Sequence, residues 1–167
     1  MPIDFVRIDD RFIHAQIIWG WVPRLKPTQI IVINDIIASN ENRKKILLMA
    51  GEQIKNVKVR ILSLEEAITD PSLKLENQEL FLIIGNPSDA LFLIKNNITI
   101  KSISLGCISE RPGKTRILAT VSIDDKDIKA FTELIKTGVE IKYQATPSDK
   151  PVDFNVPKDC ELNNLLK

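Results

Sequence analysis

The sequence predicts an α/β fold: an open, mostly parallel central sheet with helices on both faces, in a single domain. Three observations predict it. Short β-rich runs alternate with helix-patterned segments along the chain, the order that builds βαβ units and parallel pairing. Two of those runs, Gln29-Ile30-Ile31-Val32-Ile33-Asn34 and Leu80-Phe81-Leu82-Ile83-Ile84, are almost continuously apolar, as strands are when both sheet faces are covered. The chain has 167 residues, 44% hydrophobic and 27% charged, which suits one globular domain with a substantial core.

Each element has its own signal. Residues 3–8 read as the first strand, and residues 16–25 place Ile17, Ile18, Trp21, Val22 and Leu25 at helical spacing. Trp19 and Trp21 flank Gly20; one is expected in the core and the other facing solvent or a partner. Residues 29–34 form the second strand, a polar helix follows over 39–50 and ends at Gly51, and 57–62 make the third strand. Ser63 and Glu66 have capping-box spacing, in which each side chain satisfies a free amide at a helix start. Residues 80–84 are the most hydrophobic strand and are expected to be central. Asn86 caps a helix that opens with Pro87, whose missing N–H costs nothing there. Strands over 103–105 and 117–121 enclose a polar loop at 106–114. Asp124 caps a helix over 125–137 whose apolar face is Ile128, Phe131, Leu134 and Ile135, and Gly138 ends it. Residues 139–143 are the last strand. The division expected is a single domain over 1–167, with 147–167 an extended surface tail that ends in a short helical turn.

Composition removes several function classes. Lys plus Arg number 23 against 22 Asp plus Glu, so no bulk positive field recommends nucleic acid as a partner. Cys107 and Cys160 are too few and too far apart for a disulfide framework, and one histidine cannot complete a usual zinc set with them, so no metal is expected. Cys107 reads better as a small buried apolar residue than as a nucleophile. The N-terminus lacks the basic start and apolar run of a secretory signal, and no apolar stretch approaches the ~20 residues that span a bilayer. A cytoplasmic protein is expected.

The candidate chemistry gathers in Arg7-Ile8-Asp9-Asp10-Arg11-Phe12-Ile13-His14-Ala15-Gln16, which holds the sole histidine of the chain. Imidazole suits nucleophilic and proton-transfer work near neutral pH. A guanidinium fork suits phosphate or carboxylate oxygens. In an open α/β sheet, ligands bind beyond the carboxyl ends of the strands, and the loop 9–15 is such a position. There His14 stands at a helix start, where free backbone amides favour an anion. A phosphoryl group on His14 would be held by Arg11 and by the amides of Ala15 and Gln16, with Asp9 and Asp10 orienting Arg11 or the imidazole. The alternative is that Asp9-Asp10-Arg11 is a solvated turn. Arg111-Pro112-Gly113-Lys114-Thr115 invites a nucleotide-loop reading but fails it. Ile108 stands where that motif needs glycine, and a strand, not a helix, follows. Arg111 and Lys114 are instead expected to make a positively charged loop on the rim near His14, or a solvated turn.

Taken together the chain resembles the IIB component of the mannose/fructose/sorbose family of bacterial phosphoenolpyruvate-dependent sugar phosphotransferase systems. The resemblance rests on Arg7-Ile8-Asp9-Asp10-Arg11-x-x-His14-x-Gln16, then Asn34-Asp35, Arg43-Lys44 and Asn86-Pro87-x-Asp89. Later come Arg111-x-Gly113-Lys114-Thr115, Val121-Ser122-Ile123-Asp124 and Gly138-Val139-Glu140, in order over residues 3–147.

The resemblance implies a phosphocarrier whose histidine, here His14, accepts a phosphoryl group through Nδ1 from a IIA phosphohistidine. The group then passes to a sugar imported by the membrane IIC and IID components. No cofactor is implied, and self-association stays open. Arg11 is implied as the phosphate-stabilising residue, with Asp10 counted with His14 and Arg11 among the catalytic residues, and Arg7, Asp9, Arg111 and Lys114 at the site rim or in partner docking. Peripheral association with the membrane transporter follows from the same likeness. Ala15 stands where the family usually has glycine, Gly106-Cys107 where it usually has two glycines, and the tail after Pro147 resembles it poorly. Those departures keep an alternative alive: a regulatory module that retains the fold and binds partners without efficient turnover. A small-molecule enzyme using His14 as general base is a third reading.

Overall fold

The computed structural model describes residues 5–74 and 79–157. Strand β1 (Phe5–Asp9) lies inside the sheet, hydrogen-bonded in parallel to β4 (Leu80–Ile84) on one side and to β5 (Ser102–Cys107) on the other. Beyond β4 come β2 (Gln29–Ile33) and β3 (Lys58–Leu62), and beyond β5 come β8 (Glu140–Tyr143) and β9 (Val152–Asp153). The order is β3-β2-β4-β1-β5-β8-β9, parallel throughout except for β9, which runs antiparallel to β8. The expected open, mostly parallel sheet with helices on both faces is therefore present.

The apolar runs are apolar because each residue has a covered face. Ile31, Ile33, Leu80, Leu82 and Ile84 point into one core, and Ile30, Val32, Phe81 and Ile83 into the other. The first core is closed by α4 (Leu64–Thr69), α5 (Pro87–Lys95) and α6 (Asp125–Lys136) through Ala67, Ala90, Leu93, Phe131 and Leu134. The second is closed by the segment after β1 and by α3 (Glu41–Gly51), through Ile17, Ile18, Trp21, Leu47 and Leu48. The chain leaves β1 on one face and passes from β4 to β5 across β1 on the other. The carboxyl end of β1 is thus the switch point at which an open α/β sheet makes its crevice.

The helix starts follow from short polar side chains. Ser63 and Glu66 complete their capping box, and Asp124 completes one with Asp127 that the sequence reading had not included. Asn86 accepts from the Asp89 amide at 2.9 Å, ahead of Pro87.

Several boundaries differ from expectation. The helix expected over 39–50 is two: α2 (Asp35–Ala38), capped by Asn34, and α3, capped by Asn40. Each asparagine takes a backbone amide three residues on, and the chain turns between them. Residues 117–121, expected to be one strand, are a hairpin: β6 (Thr115–Leu118) pairs antiparallel with β7 (Val121–Ile123), with Leu118 opposite Val121. No glycine or proline marks that turn, and the apolar run across it mimics a strand. The segment after β1 starts with a wide π-type turn, Ile17–Trp21, before α1 (Val22–Leu25). That turn buries Trp21 (2% exposed) and leaves Trp19 outside (70% exposed). The tail adds β9, while its expected terminal helical turn, like Cys160 and Ile3, lies outside the described residues. Among the described residues no helix is long and apolar enough to cross a membrane.

Candidate functional site at the carboxyl end of β1

Strand alternation decides what β1 offers. Val6 and Ile8 face the core under α4–α6, so Phe5, Arg7 and Asp9 face the opposite side, toward Trp21. Arg7 and Asp9 are both fully buried there. A buried charge is tolerated only when paired and hydrogen-bonded, and both are.

Arg7 Nε donates to Asp9 Oδ2 at 3.3 Å, Nη1 to Ser104 Oγ at 3.1 Å and to the Gln144 carbonyl at 2.9 Å, and Nη2 to the Ala145 carbonyl at 2.9 Å. Its guanidinium carbon lies 4.6 Å from the centroid of Trp21, in cation–π range. The space for this group comes from β5. The β1–β5 register skips Gly106, pairing Ile8 with Leu105 but Asp9 with Cys107. A Cβ on Gly106 would stand 2.0 Å from Arg7 Nη2. Arg7 was expected at the site rim; it is instead beneath the site, because the i, i+2 rule of the strand sends it inward together with Asp9.

Asp9 is the centre of the arrangement. Arg11 grips it with two parallel bonds, Nε to Oδ1 and Nη2 to Oδ2, each 2.9 Å, and the Arg11 amide adds a third at 3.3 Å to Oδ1. His14 Nε2 stands 3.4 Å from Oδ2. Burial alone raises the Asp9 pKa. The hydrogen bonds of His14 and Arg11 and the charge of Arg7 outweigh it and hold the carboxyl at about 2. Arg11 is pushed up, first by its hydrogen bond to Asp9. It is 38% exposed, and its Nη2 also reaches Gln16 Oε1 at 3.3 Å.

The turn that carries the chain from Asp9 to His14 is closed by the Phe12 amide on the Asp9 carbonyl at 3.1 Å. Phe12 has φ 56°, a left-handed conformation that costs a bulky side chain roughly 1–2 kcal/mol. Burial of its ring against Gly85 offsets that cost; a Cβ on Gly85 would lie 3.0 Å from the ring. His14 then meets the helix start. The Gln16 amide donates to His14 Nδ1 at 3.3 Å, and the amides of Ile17 and Ile18 take the His14 carbonyl. Ala15 is exposed beside it.

The remaining expected residues are arranged differently. Asp10 was expected to orient Arg11 or the imidazole. It binds Ser109 instead, accepting from the amide at 2.8 Å and the hydroxyl at 2.7 Å, and so ties the loop after β5 to the loop after β1. Arg111 lies 3.7 Å from Asp10 and is largely exposed. Lys114 is not a free rim cation: it is mostly buried, ion-paired to Asp127 and, at 3.6 Å, to Asp124, at the start of α6. These residues line an open cleft of about 410 Å³ with Phe12, Asn34 and Asn86, and His14 is not among its lining residues. Asp9, Asp10 and Cys107 bring ligand atoms within 4.8 Å of one another, but Asp9 is already committed to two arginines and burial pushes the Cys107 thiol up. The chemistry of that donor set favours the guanidinium groups over a metal ion. Asp9 does bind Arg11 and face the imidazole, as expected of it, but reading the sequence missed its burial and its pairing with Arg7, the spacer role of Gly106 and the two carbonyls that hold Arg7. Only the first had a local signal, the Arg-x-Asp alternation within a strand.

The arrangement buries a carboxylate that faces one imidazole nitrogen while the other nitrogen meets a helix amide, with an exposed guanidinium beside it. Comparison with known proteins identifies the family. Residues 3–161 match the family model of the PTS system sorbose subfamily IIB component, so the likeness runs past residue 147, where the sequence reading ended it. The chain is 36% identical to the fructose-specific EIIB component of Bacillus subtilis, covering 92% of this chain and 94% of that one. It is 33% identical to the sorbose-specific EIIB component of Klebsiella pneumoniae, covering 92% and 93%. The crystal structure of the IIBSor domain of the sorbose permease from that organism superposes with a TM-score of 0.83 at 33% identity, over 92% of this chain and 93% of that one. The chain therefore belongs to the sorbose subfamily of IIB components, phosphotransferases of sugar phosphotransferase systems.

Proposed function

We propose that His14 is the residue that carries the phosphoryl group, and that it does so on Nδ1. The observation that supports this most is the pair of contacts on its ring. An ionised Asp9 only accepts hydrogen bonds, so the nitrogen facing it, Nε2, is the one that keeps a proton. Nδ1 then bears the lone pair, consistent with its acceptance of the Gln16 amide.

In the transfer, Nδ1 attacks phosphorus in line as the bond to the donor imidazole breaks, and the electron pair of that bond stays with the donor ring. The His14 ring becomes a protonated phosphoimidazole, and the Asp9 carboxylate balances the positive charge that Nε2–H then shares. In this reading Arg11, with Nη1 unengaged among the described residues, meets the phosphoryl oxygens together with the Ala15 amide, and the Gln16 amide joins them once the Nδ1 lone pair it binds is used to hold phosphorus. In the onward transfer a sugar hydroxyl attacks phosphorus and gives up its proton to solvent, while the P–N bond breaks and its electron pair returns to Nδ1. Positioning and charge balance supply the catalysis, as in other phosphoryl transfers.

The donor we assign is a IIA phosphohistidine and the acceptor a sugar held by the membrane IIC and IID components, with this chain acting at the cytoplasmic face. The resemblance of the whole chain to IIB components supports these partners. Incubation with phosphoenolpyruvate, the general phosphocarriers and the IIA donor of its own system tests the reading. An acid-labile phosphate is expected, with a phosphorus resonance of the Nδ1 isomer, and none on His14→Ala. Label that survives the substitution overturns the assignment; label on Nε2 overturns the tautomer argument alone.

A further inference from the structure

The two arginines of the site are bound to the same carboxylate in unlike ways. Arg11 is partly exposed and keeps Nη1 free among the described residues. Arg7 is closed in by Trp21, Gly106 and the end of β8, with four of its N–H bonds committed to Asp9, Ser104, Gln144 and Ala145. A phosphoryl group on His14 brings about two negative charges to within reach of Arg11 and competes with Asp9 for it. Arg7 has no such freedom. Among the described residues its only ionic partner is Asp9, and any movement would break bonds to two backbone carbonyls that the end of β8 fixes in place.

We propose that Arg7 is a positioning residue for the transfer: the fixed cation that keeps Asp9 ionised and oriented while Arg11 leaves it for the phosphoryl group. The division explains why a strand interior holds a fully buried guanidinium where an apolar side chain would pack. It also explains the skipped glycine at position 106, since the site for Arg7 exists only where β5 carries no Cβ. Asp9 thereby retains a counter-charge at every stage, and the Nε2 proton of His14 retains its acceptor after phosphorylation as well as before. This inference rests on His14 as the carrier.

Its test has two arms. In the first, Arg7→Met and Arg7→Lys are compared with the native chain for the rate of phosphorylation by the IIA donor and for the imidazole nitrogen shifts of His14. Arg7→Met is expected to slow transfer about 10- to 100-fold at saturating donor, the range typical of lost outer partners, with the donor's KM unchanged. It is also expected to erode the preference for the Nε2–H tautomer, and Arg7→Lys to restore part of both. A folded Arg7→Met protein with native rate and native tautomer overturns the proposal. The second arm uses the native protein, in case the methionine variant does not fold. The guanidinium Nε–H resonances of both arginines are followed through phosphorylation. Arg11 is expected to shift and exchange faster with solvent, while Arg7 stays in place and protected. Equal movement of both, or none in Arg11, overturns the division of labour. Absence of phosphate on native His14 would sink the carrier reading itself, whereas normal transfer through an Arg7 variant would sink this inference alone.

Discussion

Asp9 and Asp89 stand near the same end of two neighbouring strands, β1 and β4, and both lose solvent on folding, yet their charges are set in opposite directions. Asp9, with no exposed surface, is held at about 2 because His14, Arg11 and Arg7 outweigh its burial. Asp89, in the first turn of α5, is pushed up to about 6: burial raises it, Asn86 resists with one amide bond of 2.9 Å, and the charge of Asp35 adds to the rise. The less buried carboxylate is thus the harder one to ionise. Burial alone does not decide a charge state; the cations that accompany it do. For Asp9 those cations stand at positions 7 and 11, two residues to either side.

Breaking the Asp9 side should give the largest effect. Asp9→Asn leaves Arg7 buried without a counter-charge and is expected to destabilise the fold by about 3–5 kcal/mol. It should also abolish the tautomer preference of His14. Chemical denaturation reads the first and the imidazole nitrogen shifts of His14 the second, and a loss below about 1 kcal/mol would show that Arg7 does not depend on this carboxylate.

The pH dependence sharpens the comparison next. A carboxyl lowered from 3.8 to about 2 in the folded state contributes stability above pH ~4 that disappears as the pH falls through 2, about 2.5 kcal/mol in full. Asp89 works with the opposite sign. A carboxyl raised from 3.8 to about 6 costs nothing below pH ~4 and a growing amount as the pH rises to 6. Stability should therefore slope down on both sides of about pH 4. An acid-side slope that persists undiminished in Asp9→Asn would contradict the assignment.

Gly106→Ala should rank third, at about 1–3 kcal/mol, because a methyl group 2.0 Å from a pinned guanidinium nitrogen forces Arg7 off its carbonyls. Thermal unfolding is the readout, with Tm expected to fall ~2–4 °C for each kcal/mol lost. A Tm equal to that of the native chain would mean that Arg7 relaxes freely. The smallest effect is a gain: Asp89→Asn removes a disfavoured charge and should stabilise the protein by about 1 kcal/mol at pH 7–8 and not at pH 4. Equal gains at both pH values would locate the benefit in packing instead.

Much of this arrangement was legible in the sequence, because the signals were local. Continuous apolar runs gave both covered strands, Ser63-x-x-Glu66 and Asn86-Pro87 gave their helix starts, and Arg7-x-Asp9-x-Arg11 put charges on one strand face next to His14. What escaped depends on residues far apart in the chain. Nothing near Arg7 announces that Ser104, Gln144 and Ala145 will receive its protons, so an arginine in a short charged motif looked like a rim residue. Asp10 looked like a second site carboxylate because its partner, Ser109, lies 99 positions away. The hairpin at 115–123 escaped for the reverse reason: its turn, at Ala119-Thr120, is made of residues that any strand could contain.

Gly106 also ties the histories of two distant positions together. A chain that gives up arginine at position 7 gains room at 106, and there any small residue becomes tolerable. A chain that acquires a side chain at 106 has already lost the shelf on which that arginine rests. A side chain at 106 therefore fits the fold only once the guanidinium at 7 is gone, and the paired change still leaves Asp9 without its inner cation. Across related chains, the residue at 106 should report whether position 7 still carries its guanidinium.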